Sequence, residues 1–290
     1  MNLSKENNQT EYLIVGHLTK DLLGEGRSKM GGTVSYAGLT ALALGNRVKM
    51  LSSCSAQTDL SPLAGMEMEL ILSQNTTTYE NIATPQGRVQ YMYEKAQQLT
   101  QKAIPSAWLG APLVHLGPVA DEIDPEIHQA FPKSFIGITP QGWLRGFGPD
   151  GKVKPIHWRY SEALLKRADA TVLSLEDLGA DPEKINDWRS VSKVLVITRS
   201  KDGATVYQGT ESRHFAAPPQ NLLEDTGAGD IFAACFFHAF SQNADPFKAA
   251  PFAVELAASS VTRKGFQSIP LPQEVQAAAK KYGIKAGIHG

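Results

Sequence analysis

Glu224-Asp-Thr-Gly-Ala-Gly-Asp230 leads directly into Ile231-Phe-Ala-Ala-Cys-Phe-Phe237. The second stretch has almost no polar surface, which predicts a buried helix over residues 227–242. Small residues at the entrance of such a helix leave backbone N–H groups free at the positive end of its dipole, and together these make an anion site from Gly227, Ala228 and Gly229. Asp230 falls in the first turn beside that site. A carboxylate there can take a proton from an attacking hydroxyl while the amides stabilise charge developing on a phosphoryl group. The same residues also have a plainer reading, in which Asp225 or Thr226 caps the helix and Asp230 only complements its dipole.

Working outward from this helix, short β-branched runs alternate with helical patterns. Strands are expected at Tyr12–Val15, Val48–Leu51, Leu113–Leu116, Phe135–Ile138, Thr171–Leu173 and Val194–Thr198. Helices are expected at Gly32–Leu44, Ser161–Ala168, Pro182–Ser190, Pro246–Arg263 and Pro272–Tyr282, the first closed by Gly45-Asn46. Near-continuous apolar strands separated by helices predict an α/β fold with a mostly parallel sheet covered on both faces. One region breaks the rhythm. Residues 66–94 contain Met68-Glu-Leu-Ile-Leu72, Thr76–Ile82 and Arg88–Tyr93, joined by the turn Thr84-Pro-Gln-Gly87, and read as a small antiparallel insertion attached as a flap.

The 290 residues carry a formal net charge of −1, with 42% hydrophobic and 20% charged residues. That balance excludes a disordered chain and gives no global attraction to nucleic acid or to an anionic membrane. Cys54 and Cys235 are too few for a disulfide framework and read as buried small hydrophobes in a reducing compartment. The polar N-terminus lacks the apolar core of a signal peptide, and the longest apolar stretch is about half of what spans a bilayer, so a cytoplasmic protein is expected. No G-x-x-x-x-G-K-[ST] occurs, which removes the P-loop class of nucleotide site, and the seven histidines have no metal-ligand spacing.

Two further stretches belong with the first. Gly31-Gly-Thr-Val-Ser-Tyr-Ala-Gly38 opens a second small-residue helix, and Asp21 lies just past the first strand. Ligands of open α/β sheets bind at the carboxyl ends of strands, where an aspartate can hold hydroxyl groups; a solvated loop Asp is the alternative.

Together, Asp21, Gly31-Gly32 with its helix, and Thr226-Gly-Ala-Gly-Asp230 resemble the ribokinase (PfkB) family of sugar and nucleoside kinases, from Tyr12 to about Pro270. The resemblance implies one three-layer α/β/α domain over residues 1–290, with residues 66–94 and part of 19–30 as a small β lid. It implies ATP and Mg²⁺ as cosubstrates, with a monovalent cation as a further candidate, and transfer of the γ-phosphoryl group to a hydroxyl. Asp230 then matches the catalytic base and Gly227–Gly229 the anion hole. Asp21, Gly31, Gly32 and Tyr36 match the substrate side. Thr198-Arg-Ser-Lys-Asp-Gly203 matches a nucleotide loop with Ser200 in place of its first glycine, and Thr226 joins Thr198, Ser200 and Gly203 on the nucleotide side.

Several positions depart from the family pattern. Ser174-Leu-Glu-Asp177 stands where Asn-x-x-Glu is usual, which puts Ser174 near the phosphates and Asp177 near the metal but shortens the reach of both. Tyr36 replaces a substrate-binding Asn, and Glu224 replaces the usual first Asp of the catalytic motif. Thr139-Pro-Gln-Gly-Trp-Leu-Arg145 looks like the Gln/Arg segment of inositol-kinase-like members, where the Arg145 guanidinium is expected to bind polyol hydroxyls or phosphate; a surface Arg beside a Trp packed on the sheet is the alternative. The expected activity is therefore phosphorylation of a sugar or cyclic polyol, inositol-like or furanose. A nucleoside kinase and a non-catalytic ligand-binding paralogue remain as alternatives. No nucleic-acid or membrane partner is expected, and an exposed β flap offers a surface for a homodimer through the lid.

Overall fold

Tyr12-Leu-Ile-Val15 is apolar at every position because its strand is covered on both sides: Tyr12 and Ile14 join one core cluster, Leu13 and Val15 the other. The computed structural model describes residues 9–84, 87–179 and 182–286; Pro85 and Gln86 of the expected turn lie outside them. The first half of the chain forms β1 (Glu11–Val15), β2 (Thr19–Gly24), β3 (Arg27–Gly31), α1 (Thr33–Ala43), β4 (Arg47–Cys54), β5 (Glu67–Leu72), β6 (Thr77–Thr84) and β7 (Gly87–Glu94). The middle forms β8 (Leu113–Leu116), β9 (Phe135–Ile138), the ribbon β10 (Arg145–Phe147) and β11 (Val153–Pro155), α2 (Ser161–Arg167) and β12 (Ala170–Ser174). Then come α3 (Pro182–Val191), β13 (Leu195–Thr198), β14 (Ala204–Gln208), β15 (Glu211–Phe215), α4 (Ala228–Asn243), α5 (Pro246–Ser260) and α6 (Pro272–Tyr282).

Nine strands make one sheet in the order β15-β14-β13-β12-β9-β8-β1-β4-β5. Every pair from β13 to β5 is parallel, and only β13-β14-β15 run antiparallel. Side chains of α1, α4, α5 and α6 fill the core on one face, and those of α2 and α3 pack on the other. This is the three-layer α/β/α arrangement, and it puts the carboxyl ends of the parallel strands on one edge. α4 is the central helix: Ile231 to Ala239 are all buried.

A second sheet of four strands, ordered β3-β2-β6-β7, rises from that edge. Its composition corrects the expected insertion over residues 66–94. Met68-Glu-Leu-Ile-Leu72 belongs to the large sheet, paired parallel with β4 from Lys49↔Glu67 to Cys54↔Leu72. Its alternating character reflects an edge strand with one solvated face, where Leu72 is 66% exposed. Nor is β6-β7 an independent hairpin, because β6 also pairs parallel with β2. Among the described residues no helix is long and apolar enough to cross a membrane.

Candidate active site

The N-termini of α4 and α1 meet at the carboxyl edge of the large sheet. Gly227 caps α4 in a left-handed conformation, φ 82°, and a Cβ on it would come within 2.2 Å of the Tyr36 ring. Only glycine fits this turn. Ala228 and Ile231 spend their amides on Asp225 and Gly227 carbonyls, while those of Gly229 and Asp230 have no backbone acceptor among the described residues. Gly229 is exposed, with open space where a side chain would be. An anion can therefore approach these amides directly.

Asp230 lies in the first turn of α4, beside Thr33 at the start of α1. Burial pushes its pKa up to about 6; Thr33 and the Arg145 guanidinium pull the other way, and the Asp177 carboxylate adds to the rise. The residue keeps part of its surface open, but the protein mass around the carboxyl penalises its charge. A carboxylate poised near neutral pH is suited to taking up a proton.

Arg145 reaches this group from the start of β10. Its guanidinium donates to Asp177 Oδ1 at 3.3 Å and to Gln90 Oε1 on β7 at 3.1 Å, which links the large sheet to the second one. Ser174 Oγ donates to Asp177 Oδ2 at 2.6 Å and accepts the Asp177 amide at 3.0 Å. Including the Ser174 amide, three donors already occupy the Asp177 carboxylate, which has about four acceptor positions. That leaves little room for a directly bound cation beside a guanidinium. Among the described residues no group of three or more His, Cys, Asp or Glu comes together to hold a metal, and Asp177 is the ion-pair partner of Arg145.

The second sheet supplies the opposite wall. Asp21 on β2 accepts a hydrogen bond from Thr19 at 3.0 Å and stands in register with Lys29 on β3 and Tyr79 on β6. Directly paired residues share one face, so all three face the same way. Tyr79 donates to the Val119 carbonyl at 2.6 Å, and Lys29 Nζ donates to Glu224 Oε1 at 2.5 Å. Gly31 and Gly32 line the junction: a Cβ on Gly31 would meet Asp21 Oδ2 at 2.5 Å, and one on Gly32 would meet the His17 carbonyl at 2.4 Å.

Tyr36, expected on the substrate side, has its ring covered. It is 1% exposed, wedged between Gly227 and the edge of Phe266. Its hydroxyl is buried without a partner among the described residues, and burial together with Glu224, Asp21 and Asp230 raises its pKa. Its ring therefore supports the floor of the site, and only the hydroxyl points toward the carboxylates.

The remaining expected residues lie at the adjoining strand ends. Thr198 pairs in register with Ser174, and its hydroxyl donates to the Leu173 carbonyl at 3.4 Å. Ser200 begins a tight turn with φ 49°, in the left-handed region where a glycine is easier, and Gly203 ends it. Thr226 helps to lower the pKa of the Glu224 carboxyl. Thr33, Lys29, Gln90 and Tyr79 went unread in the sequence. Thr33 had a local signal, as the first helical residue after Gly31-Gly32; the other three arrive only through strand register.

An α/β/α core with a second sheet raised over the carboxyl edge of its parallel strands defines a ribokinase-like fold. Residues 166–274 match the model for the pfkB family carbohydrate kinases. The fold matches a pyrophosphate-dependent kinase of the ribokinase family, solved with a pyrophosphate analog and myo-inositol, with a TM-score of 0.79 and 21% identity over 92% of this chain and 99% of that one. Arabidopsis thaliana ribokinase, solved with ribose and ATP, matches with a TM-score of 0.71 at 18% identity, covering 94% and 99% of the two chains. By sequence, the chain is 22% identical to a cytidine kinase of Thermococcus kodakarensis over 80% of this chain and 89% of that protein. It is 38% identical to a deoxyribokinase of Salmonella typhimurium, over 26% and 24% of the two chains.

Proposed function

We propose that this protein transfers a phosphoryl group to a hydroxyl of a neutral sugar or cyclic polyol. The observation that carries the reading is Asp230, poised near pH 6 in the first turn of α4 beside amides that have no backbone acceptor. The acceptor oxygen attacks the terminal phosphorus of the donor, the bridging P–O bond breaks, and the acceptor proton passes to Asp230. The amides of Gly229 and Asp230 stabilise the transferring group. Mg²⁺ enters with the donor phosphates as part of the substrate, in keeping with its preference for phosphates and water over protein cages. The second sheet acts as the lid that excludes water, and Thr198, Ser200, Gly203 and Thr226 form the donor side.

Charge supports a neutral acceptor. Asp21, Asp177, Glu224 and Asp230 surround the site, and the two cations near them, Arg145 and Lys29, are each held by one of these carboxylates. An acceptor already carrying a phosphate would meet net repulsion. Asp21 and Arg145 supply an acceptor and donors suited to vicinal hydroxyls, which favours an inositol-like ring first and a furanose second. The fold neighbour solved with myo-inositol supports the same order. A nucleoside is a further acceptor to test, given the cytidine kinase relative.

ATP is the donor expected from the family resemblance. Inorganic pyrophosphate is a second reading, favoured by the pyrophosphate-dependent fold neighbours and by Ser174 and Ser200, which depart from the family pattern where the donor would lie. The test is release of ADP or of phosphate, measured over cyclic polyols, pentoses and nucleosides with each donor in turn. Acceptor-dependent release with a polyol or sugar is expected. Release with neither donor for any acceptor would leave a non-catalytic binding protein as the better account.

A further inference from the structure

We infer that Lys29 and Glu224 form a latch that holds the acceptor-side sheet in register with the catalytic loop, making Lys29 a positioning residue for phosphoryl transfer. This rests on the kinase reading above. Lys29 stands directly across β2-β3 from Asp21, so the strand segment that places Asp21 is the one the latch holds. Its ammonium meets Glu224 Oε1 at 2.5 Å, with side-chain exposures of only 29% and 22%. The neighbouring pair Arg27–Glu25, at 69% and 84%, is an ordinary solvated one.

Glu224 is braced from the other direction. Its second oxygen accepts the Gly265 amide at 3.3 Å, its own amide bonds the Val261 carbonyl at 3.2 Å, and its side chain also engages Thr226. One carboxylate therefore ties β3, the turn after α5 and the loop that ends at Asp230. Burial penalises its charge, but Lys29, Thr226 and Gly265 outweigh that and hold its carboxyl below the usual range. The extra methylene of Glu over Asp is what lets a residue anchored at Gly265 also reach across to β3. A shift of β3 moves Asp21 relative to Asp230, and misplacement of reacting groups by about 1 Å is enough to cost ~10²-fold in rate.

The test is a double-mutant cycle of Lys29→Met and Glu224→Gln, with Lys29→Arg as the rescue, each variant first checked for a cooperative thermal melt. Lys29→Gln replaces Lys29→Met if the latter fails that check. Two readouts are taken. In amide hydrogen exchange, either single change should speed exchange in residues 28–31 and 224–230, and the double variant should add little more. In transfer assays, kcat should fall about 5–50-fold while the donor KM moves less than about 2-fold, and donor hydrolysis without acceptor should rise relative to transfer. Lys29→Arg should restore most of both. Additive effects of the two changes on exchange, or Lys29→Met with the wild-type ratio of transfer to hydrolysis, would overturn the latch. If the wild-type protein phosphorylates nothing, the kinase reading falls and the exchange cycle alone still decides whether the latch exists.

Discussion

Thr33, the first residue of α1, lowers the pKa of the Asp230 carboxyl in the first turn of α4, so the start of one helix acts on the acid of the other. The two helices come from opposite ends of the chain, and their N-termini converge on one oxygen pair. Thr33 favours the charged carboxylate, burial favours the neutral one, and the balance leaves the group near pH 6.

Asp230→Asn should keep the fold and donor binding but lower turnover by roughly 10²–10⁴-fold. In the wild type, kcat/KM should fall as pH drops through about 6, because the base is then protonated. Steady-state rates from pH 5 to 8.5 check both points, and wild-type turnover in the variant would remove Asp230 from the chemistry.

The same change should stabilise the protein. The folded pKa of about 6 lies above the ordinary aspartate value of 3.8, so the folded state binds this proton more tightly than the unfolded state. The cost of the buried charge is therefore absent below about pH 4, grows between the two values and is complete above 6. Asp230→Asn should gain about 1–3 kcal/mol at pH 8, and the gain should vanish toward pH 4. Urea unfolding at the two pH values measures it; an equal gain at both would contradict the assignment.

Arg145 and Asp177 act on Asp230 with opposite sign. Arg145→Met should move the acid limb of the kcat/KM profile upward, and Asp177→Asn should move it downward, each by up to about one unit. Shifts in the same direction would mean that the two residues act on the rate by another route.

Two glycines two positions apart should fail differently. Gly227→Ala forces a Cβ against the Tyr36 ring at a positive φ and should cost roughly 1–3 kcal/mol of stability. Gly229 faces open space, so Gly229→Val should melt near the wild type yet lose transfer, because the new side chain stands where the phosphoryl group must meet the amides. Thermal melts paired with transfer assays separate them.

Asp21→Ala should raise the acceptor KM by roughly 10–100-fold and leave the donor KM nearly unchanged. Initial rates with each substrate varied in turn decide the matter. A raised donor KM with the acceptor spared would put Asp21 on the wrong side of the reaction.

What could be read from the sequence was local. The glycines before α4, the acid three residues into that stretch and the apolar strands β1, β8 and β13 each declare themselves within a few residues. Edge strands do not. Glu67–Leu72 alternates because one face is solvated, which looks like a hairpin strand, and Glu211-Ser-Arg-His-Phe215 is too polar to be noticed. The second wall of the site was harder still. Lys29, Tyr79 and Gln90 have no special neighbours in sequence; register lines the first two up with Asp21 across strands drawn from residues 19–31 and 77–84, and β7 brings Gln90 to Arg145. Tyr36 was found by its position, but its packing against Gly227 and Phe266, and hence its role as support, depends on contacts with residues almost two hundred positions or more away.

The parallel pairing of β2 with β6 also dictates an order of events during folding. These strands are neighbours in space, but the chain between them must first lay down β3, α1, β4 and β5. A two-stranded piece of that sheet has little to hold it together in water. Closing a loop of this length is paid for in entropy before any ladder forms. The second sheet is thus expected to assemble late, templated on a nearly finished core, and a nascent chain released before residue 84 would leave β2 and β3 as an orphaned ribbon exposed to proteases and chaperones.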